Sequence, residues 1–459
     1  SLAPSVRSHF GSRHWPLRIN RNKGQRAPIA RSRTSHPQAV MLSHALIYGC
    51  IGLGIVATLI VIATDAKQLS GMANLITGKD ELARFQRVYL PVFLTAMMAD
   101  WLQGPFVYAL YQGYGIDREH NGYLFVVGFG ASAVFGTFVG SAADQCGRKK
   151  FALLYCATYC AHCCTKHMNH FAVLAVGRVL GGISTSLLCS VFDSWLVSQS
   201  NRKGFEGEQL GSTFSLAYFG SSIVAIAAGQ LGEIVAGLKP LSEVGGGIYY
   251  GGYVTPFDLA NAFLVLCIFL IIRSWSENYG QSTGNGANFT EALQVVVKNR
   301  QVLFCGLIAS SFESSMFIFV FNWTPCLMEE GVPPPPFGHV FSCFMIMCML
   351  GSRIFSYLSG VMSIERIGVL TMAVAAVSHL VIVLSPDVVI RFFAFLVFEA
   401  CVGLYFPMIG TLKGDIVPED MRSTIYNIYR FPLNLVVLLP LLMNFSITTT
   451  FIVTTSILV

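Results

Sequence analysis

Polar positions in this chain fall in short clusters separated by long apolar runs. A helix needs about 20 apolar residues to cross the hydrocarbon core of a bilayer. A first run covers 42–64, and further runs recur near 88–111, 121–143, 151–168, 170–197, 211–237 and 256–273. After a polar stretch at 274–300 they resume at 301–327, 338–362, 364–384, 389–411 and 424–444. A last one, from 446 onward, reads as truncated. The pattern predicts an all-α integral membrane protein built of two six-helix bundles, with one extra N-terminal hydrophobic helix. The expected divisions are a basic head at 1–40, the extra helix and a linker at 41–85, an N-terminal bundle at 86–273, a central loop at 274–300 and a C-terminal bundle at 301–459.

Composition agrees. Of 459 residues, 54% are hydrophobic and only 12% charged, whereas a soluble domain carries about 25% charged residues. This excludes a soluble enzyme, a disordered chain and a nucleic-acid binder. The net charge of +6 comes from the head: Arg7, Arg13, Arg18, Arg21, Lys23, Arg26, Arg31 and Arg33 stand there without an acid, and taking these eight from +6 leaves the rest at −2. The head reads as a targeting segment or as leader sequence translated from upstream of Met41. The thirteen cysteines show no disulfide framework and read as small buried hydrophobes. Cys160, His162, Cys163, Cys164, His167 and His170 offer metal-ligand types, but they lie where a membrane helix ends and carry no HExxH pattern, so packing at the interface is expected and no metal or cofactor.

Lys and Arg placement sets the orientation. Arg148, Lys149 and Lys150, then Arg202 and Lys203, then Arg273, Lys298 and Arg300, and finally Lys413 and Arg422 all fall on one side when spans are counted from residue 88. That side is expected to be cytoplasmic, with the Gly- and Pro-rich loops near 245–252 and 333–336 opposite. Segment 42–64 then has its N-terminus outside, which conflicts with a basic head and favours a start at Met41.

One loop carries a motif. Gly140, Asp144, Gly147, Arg148 and Lys149, followed by Lys150, reproduce the spacing G-x-x-x-D-x-x-G-R-K and resemble the loop signature of the major facilitator superfamily, whose architecture is likewise two six-helix halves around a longer central loop. An acid at a helix end pairs with a cation or a neighbouring helix dipole in one state of a carrier. Asp144, Gly147 and Arg148 are therefore gating candidates. Ionisable groups inside lipid cost several kcal/mol unless paired or in a wet cavity, which singles out Asp100, Arg178, Glu313, Glu399 and Arg430. Bland readings stay open: Arg178, between Gly177 and Gly181, also suits bridging helices, and Glu399 suits a neutral hydrogen bond. Asp193 and Arg353 lie nearer the basic ends of their spans, where gating pairs are expected.

Several strings resemble the molybdate-anion transporter family: Ala99 to Pro105 (ADWLQGP), Gly181 to Thr185, Ser311 to Ser314, Ile318 to Pro325, Gly403 to Pro407 and Arg430 to Asn434, together spanning 86 to about 440. Asn322 departs from the apolar residue expected there, and the head and short tail also differ. The resemblance implies uptake of molybdate at a membrane, the plasma membrane being expected. On that reading Arg430 and Arg178 supply charge to a tetrahedral dianion, with Gln103, Asn322, Ser184, Thr185 and Trp323 as candidate donors. Asp100, Glu313 and Glu399 would repel a dianion when ionised, so one of them is expected to carry a proton during uptake, making protons the coupling partner. A carrier of a neutral solute such as a sugar, and a non-transporting sensor on the same fold, remain as rivals. No phosphate loop or paired catalytic carboxylates point to an enzyme.

Overall fold

The computed structural model describes residues 43–459 apart from 65, 206, 281–288, 330, 419 and 420, so the basic head lies outside the described residues. The apolar runs become helices because backbone N–H and C=O groups in lipid must be satisfied within their own segment. Helix α1 (His44–Thr64) is the expected extra helix. The linker after it contains α2 (Ala66–Thr77).

The first core span is broken. Helix α3 (Glu81–Trp101) gives way to a 3-10 turn at Gly104–Phe106 and then α4 (Val107–Gly113). Pro105 cannot donate a backbone bond, which suits a break. The second span is α5 (Arg118–Gly136) and α6 (Val139–Cys146), bent by 49° between them. The N-terminal half continues with α7 (Arg148–Thr165), α8 (Phe171–Arg202), α9 (Glu208–Gly237) and α10 (Thr255–Ser274). Between α9 and α10 a two-stranded antiparallel hairpin pairs β1 (Ser242–Gly245) with β2 (Ile248–Tyr250). The hairpin marks one end of the bundle and the Arg148–Lys150 loop the other; they are called the hairpin end and the basic end below.

The central loop also holds a helix, α11 (Phe289–Lys298), which buries Ala292 and Val296 with Val302, Val417 and Ile425. The C-terminal half comprises α12 (Arg300–Cys326), α13 (Phe337–Leu358), α14 (Ile364–Leu384), α15 (Val388–Ile416), α16 (Arg422–Leu442) and the short α17 (Ile447–Leu458). Helix α16 runs through both Pro432 and Pro440. Among the described residues eight helices are individually long and apolar enough to span a bilayer, and α5 with α6 makes a ninth.

Small residues let the halves approach. Gly229 of α9 and Gly338 of α13 leave no room for a Cβ at their crossing, and Ser342 donates to the Ile226 carbonyl at 2.9 Å. Close approach at small residues is how membrane helices gain van der Waals contact. Helix α1 lies on α13, where Tyr48 and His339 hydrogen-bond at 2.9 Å.

Candidate functional site

At the basic end the signature loop is a built turn. Gly147 adopts φ +111°, a conformation L side chains avoid. A Cβ there would also lie 2.6 Å from the Glu277 carboxyl carbon. Glu277 accepts from the backbone N–H of Lys149 at 2.7 Å and Lys150 at 3.3 Å, capping the exposed donors at the start of α7. Arg148 donates through its Nε to Asp144 at 2.7 Å and through a terminal nitrogen to the Ser194 carbonyl at 3.0 Å. The Asp144 carbonyl accepts from Gly280 N–H at 2.9 Å. Asp144, Gly147 and Arg148 thus tie α6, α7, α8 and the chain after α10 together within one half.

Two cations were expected to share the substrate, but they sit at different levels of the α5–α8 seam. Arg178 donates to the Leu124 carbonyl at 3.1 Å, lies 4.6 Å over the Phe125 ring and fills the space beside Gly128, where a Cβ would meet it at 2.6 Å. It bridges α8 to α5. Arg430 of α16 approaches α5 at Gly136, a terminal nitrogen lying 3.4 Å from where a Cβ would stand. Gly128 and Gly136 are eight residues apart, about 12 Å of helix rise. The Arg430 side is exposed, and its guanidinium has no hydrogen bond or ion pair with a described residue. Ser186 lies beside Gly136 and shares a 3.2 Å hydroxyl contact with Ser132. Asp100, at the end of α3, accepts from the Tyr159 hydroxyl at 2.5 Å. Gln103 is buried; its amide donates to the Ala99 carbonyl, and its Oε1 has no partner.

Glu313 of α12 pairs with Lys413 of α15 at 3.3 Å and accepts from the Tyr405 hydroxyl at 2.8 Å. Glu399 is buried on α15 and has no hydrogen bond or ion pair with a described residue. Gly351 meets the Ala400 carbonyl and Gly403 the Cys348 carbonyl, so Glu399 sits where α13 and α15 cross most tightly. Asp193 accepts from Tyr218 at 3.1 Å and Tyr89 at 3.4 Å, and Arg353 lies 5.7 Å over the Phe219 ring.

Asn322 stands apart from Arg430, in a seal between the halves at the hairpin end. Its Oδ1 accepts from Arg118, the first residue of α5, at 3.0 Å. Another Arg118 nitrogen donates to the Phe445 carbonyl, in the turn between α16 and α17, at 2.6 Å. Arg118 also lies 5.8 Å over the Phe321 ring. Phe321 meets Phe125 edge-on at 5.0 Å and Tyr108 at 5.5 Å, and Phe129 meets Phe317 at 5.3 Å. These rings of α4, α5 and α12 close the seam between Arg118 and Arg178.

The His/Cys cluster does not assemble around an ion: no group of three or more potential metal-ligating side chains occurs among the described residues. His162 bonds the Gly177 carbonyl, and His167 pairs with Asp258 at 2.8 Å and with the Tyr249 carbonyl at 3.0 Å. Asp258 holds the His167 imidazole above its ordinary value. The fully buried Lys166 donates to the Tyr111 hydroxyl at 2.7 Å.

Sequence reasoning passed over Arg118, Tyr159, Glu277 and Lys413. Lys413 entered only as a charge beside a loop and Glu277 only within the polar stretch at 274–300, while Arg118 and Tyr159 were not singled out. Asp117 ahead of Arg118 was a usable signal, since it caps α5 by accepting from His120 N–H at 2.8 Å and so fixes where that helix starts.

The sequence matches, over residues 46–404, a family described as sugar transporters with 12 TM segments. It is 31% identical over 423 residues to the molybdate-anion transporter of Takifugu rubripes, covering 85% of each chain. It is 34% identical over 377 residues to that of Xenopus tropicalis, covering 80% of each. Among solved structures, the nucleoside transporter NupG superposes with a TM-score of 0.61 at 10% identity, covering 82% of this chain and 96% of that one. The inward-open xylose transporter XylE from E. coli gives 0.61 at 11% identity, covering 82% and 94%. At those identities the likeness speaks for the fold.

Proposed function

Because the chain belongs to the molybdate-anion transporter family of the major facilitator superfamily, and is a multi-pass membrane transporter, we propose that it takes up molybdate across the plasma membrane by alternating access. The observation that carries this reading is Arg430: a guanidinium on an apolar spanning helix, exposed beside Gly136 and without a carboxylate partner among the described residues. An unpaired charge at such a depth costs several kcal/mol, and a bound anion offsets that cost. Molybdate is a tetrahedral dianion at neutral pH, and the guanidinium fork matches two of its oxygens. The Ser132 hydroxyl, 3.2 Å from that of Ser186, lies in the same stretch of the seam and adds a donor, while Ser186 donates to the Ser132 and Gly182 carbonyls.

Coupling falls to Asp100 and Glu399. Asp100 accepts from the Tyr159 hydroxyl at 2.5 Å, and protonating it removes its repulsion of a dianion. Glu399, buried without a partner, suits the neutral form. Glu313 is committed to Lys413 and acts in holding α12 on α15. Arg178 serves as the bridge between α5 and α8, and Gln103 and Asn322 act outside the first contact with the anion. The halves meet at the hairpin end through Arg118 and the aromatic rings, which supports a state closed on that side.

Uptake of labelled molybdate into transporter-deficient cells tests the reading. Saturable uptake is expected, inhibited by sulfate and unaffected by sugars. A second reading, a carrier of a neutral solute, is favoured by the description of the matched family and by the unpartnered Gln103 Oε1, which suits a hydroxyl donor. Inhibition by a sugar together with indifference to oxyanions would select it.

A further inference from the structure

The seal at the hairpin end is made by a cation whose acceptors imitate an oxyanion. Two different terminal nitrogens of Arg118 are engaged, one by the Phe445 carbonyl at 2.6 Å, with the Asn444 amide oxygen further off at 3.4 Å, and the other by the Asn322 amide oxygen at 3.0 Å. All of these acceptors are neutral oxygens contributed by the C-terminal half. No carboxylate pairs with Arg118 among the described residues: its neighbours Asp117 and Glu119 are turned to His120 and Tyr123. The Arg118 Nε is buried and unsatisfied. The closed state therefore satisfies the geometry of the fork and leaves its charge uncompensated.

Arg118 also stands in line with the other two arginines. It lies on one side of the Phe321–Phe125 ring pair and Arg178 lies on the other, over Phe125. Arg430 follows two turns further along α5, at Gly136. The three guanidiniums mark successive levels of one seam, with an aromatic plug between the first and the second.

We propose that Arg118 is an outer capture site for the transported oxyanion, and that the anion opens the seal by replacing Asn322 and the Phe445 carbonyl on the guanidinium fork. This rests on the oxyanion reading above. When the halves part at the hairpin end, Arg118 stays with α5 and loses both oxygens, which move with α12 and the α16–α17 turn. A dianion supplies two oxygens in the same fork geometry and the missing charge. It binds the open form better than the closed form, and that difference in affinity shifts the population toward the open form. Asn322, polar in an otherwise apolar string, then serves as the anion's competitor and sets how readily the seal yields.

The test uses the full chain with Glu119→Cys and Asn444→Cys, whose native side chains approach to 3.5 Å across the seal; the pair removes the 3.4 Å Asn444 contact with Arg118 from every variant alike. The rate at which they crosslink reports closure, and sodium molybdate is the titrant. Molybdate is expected to slow crosslinking in the otherwise native chain. Asn322→Leu removes one competitor, so the half-saturating concentration should fall at least threefold. Arg118→Gln also loosens the seal but removes the anion's contact, so its half-saturating concentration should rise at least tenfold, with Arg118→Lys in between. A plain latch predicts that both variants shift the half-saturating concentration downward; that result, or an unchanged value in Arg118→Gln, overturns the proposal. If Arg430→Gln abolishes uptake while Arg118→Gln leaves the titration untouched, the oxyanion reading stands and this one falls. If no oxyanion alters crosslinking or uptake in the native chain, the oxyanion reading itself fails.

Discussion

The carboxylate of Glu277 occupies the space that a side chain on Gly147 would need. A Cβ on Gly147 would lie 2.6 Å from the Glu277 carboxyl carbon and 2.8 Å from both of its oxygens. Gly147 opens α7 and Glu277 lies in the chain just after α10, and their contact explains why the signature asks for glycine there. The turn needs positive φ, and the acid needs the room to reach the first N–H groups of α7.

Gly147→Ala is therefore expected to be costly twice over. The left-handed conformation alone costs about 1–3 kcal/mol for a residue with a side chain, and the displaced Glu277 loses its cap. A lowered thermal midpoint with reduced uptake checks this. A native midpoint would mean that the turn relaxes freely.

Asp144→Asn separates gating from folding. The Asp144–Arg148 pair is partly exposed, the Asp144 side chain 42% so, and such pairs contribute about 0–1 kcal/mol. Stability should stay close to native while the maximal uptake rate falls more than the apparent affinity. An unchanged rate at normal expression would reduce the motif to a turn.

Glu313 and Lys413 should couple energetically. Each variant alone, Glu313→Gln or Lys413→Met, strands a half-buried partner, so the double variant should be less destabilised than the sum of the two. A coupling of about 1–3 kcal/mol is expected for groups in direct contact. A double-mutant cycle on thermal unfolding measures it; strict additivity would mean that the pair holds nothing.

His167 gives a pH signature. Its hydrogen bond to Asp258 raises the imidazole above the ordinary value of about 6.5. A base raised in the folded state lends stability that is fully present below the ordinary value and is lost as pH rises through the raised one. The thermal midpoint should fall as pH rises above the ordinary imidazole value of about 6.5, and His167→Gln should flatten that fall. A flat native profile would show that the pair is not charged.

The spans were legible because each presents an unbroken apolar run, and lipid leaves such a run no alternative to a helix. The breaks were less so. Pro105 ends α3 nearby, whereas Pro432 leaves α16 intact; a proline's consequence depends on whether neighbouring helices hold the turn, which a local string does not record. Helix α11 was hidden because ten residues with one apolar face look like a polar loop when averaged. The site was legible as a set of buried charges and illegible as a set of partners. Glu313 was visible, but Lys413, a hundred residues on, was not visible as its partner. Asn322 stood out as a departure, and only its contact with Arg118, 204 residues away, explains it.

The central claim is that Arg430 holds the anion, and equilibrium binding of molybdate to the purified protein measures it without transport kinetics. Losing one charge from a desolvated ion contact costs about 2–5 kcal/mol, so Arg430→Ala should bind at least about thirtyfold more weakly. Arg430→Lys should recover only part of that loss, since an ammonium keeps the charge and loses the fork. Native affinity in Arg430→Ala would contradict the account and leave Arg430 a packing residue.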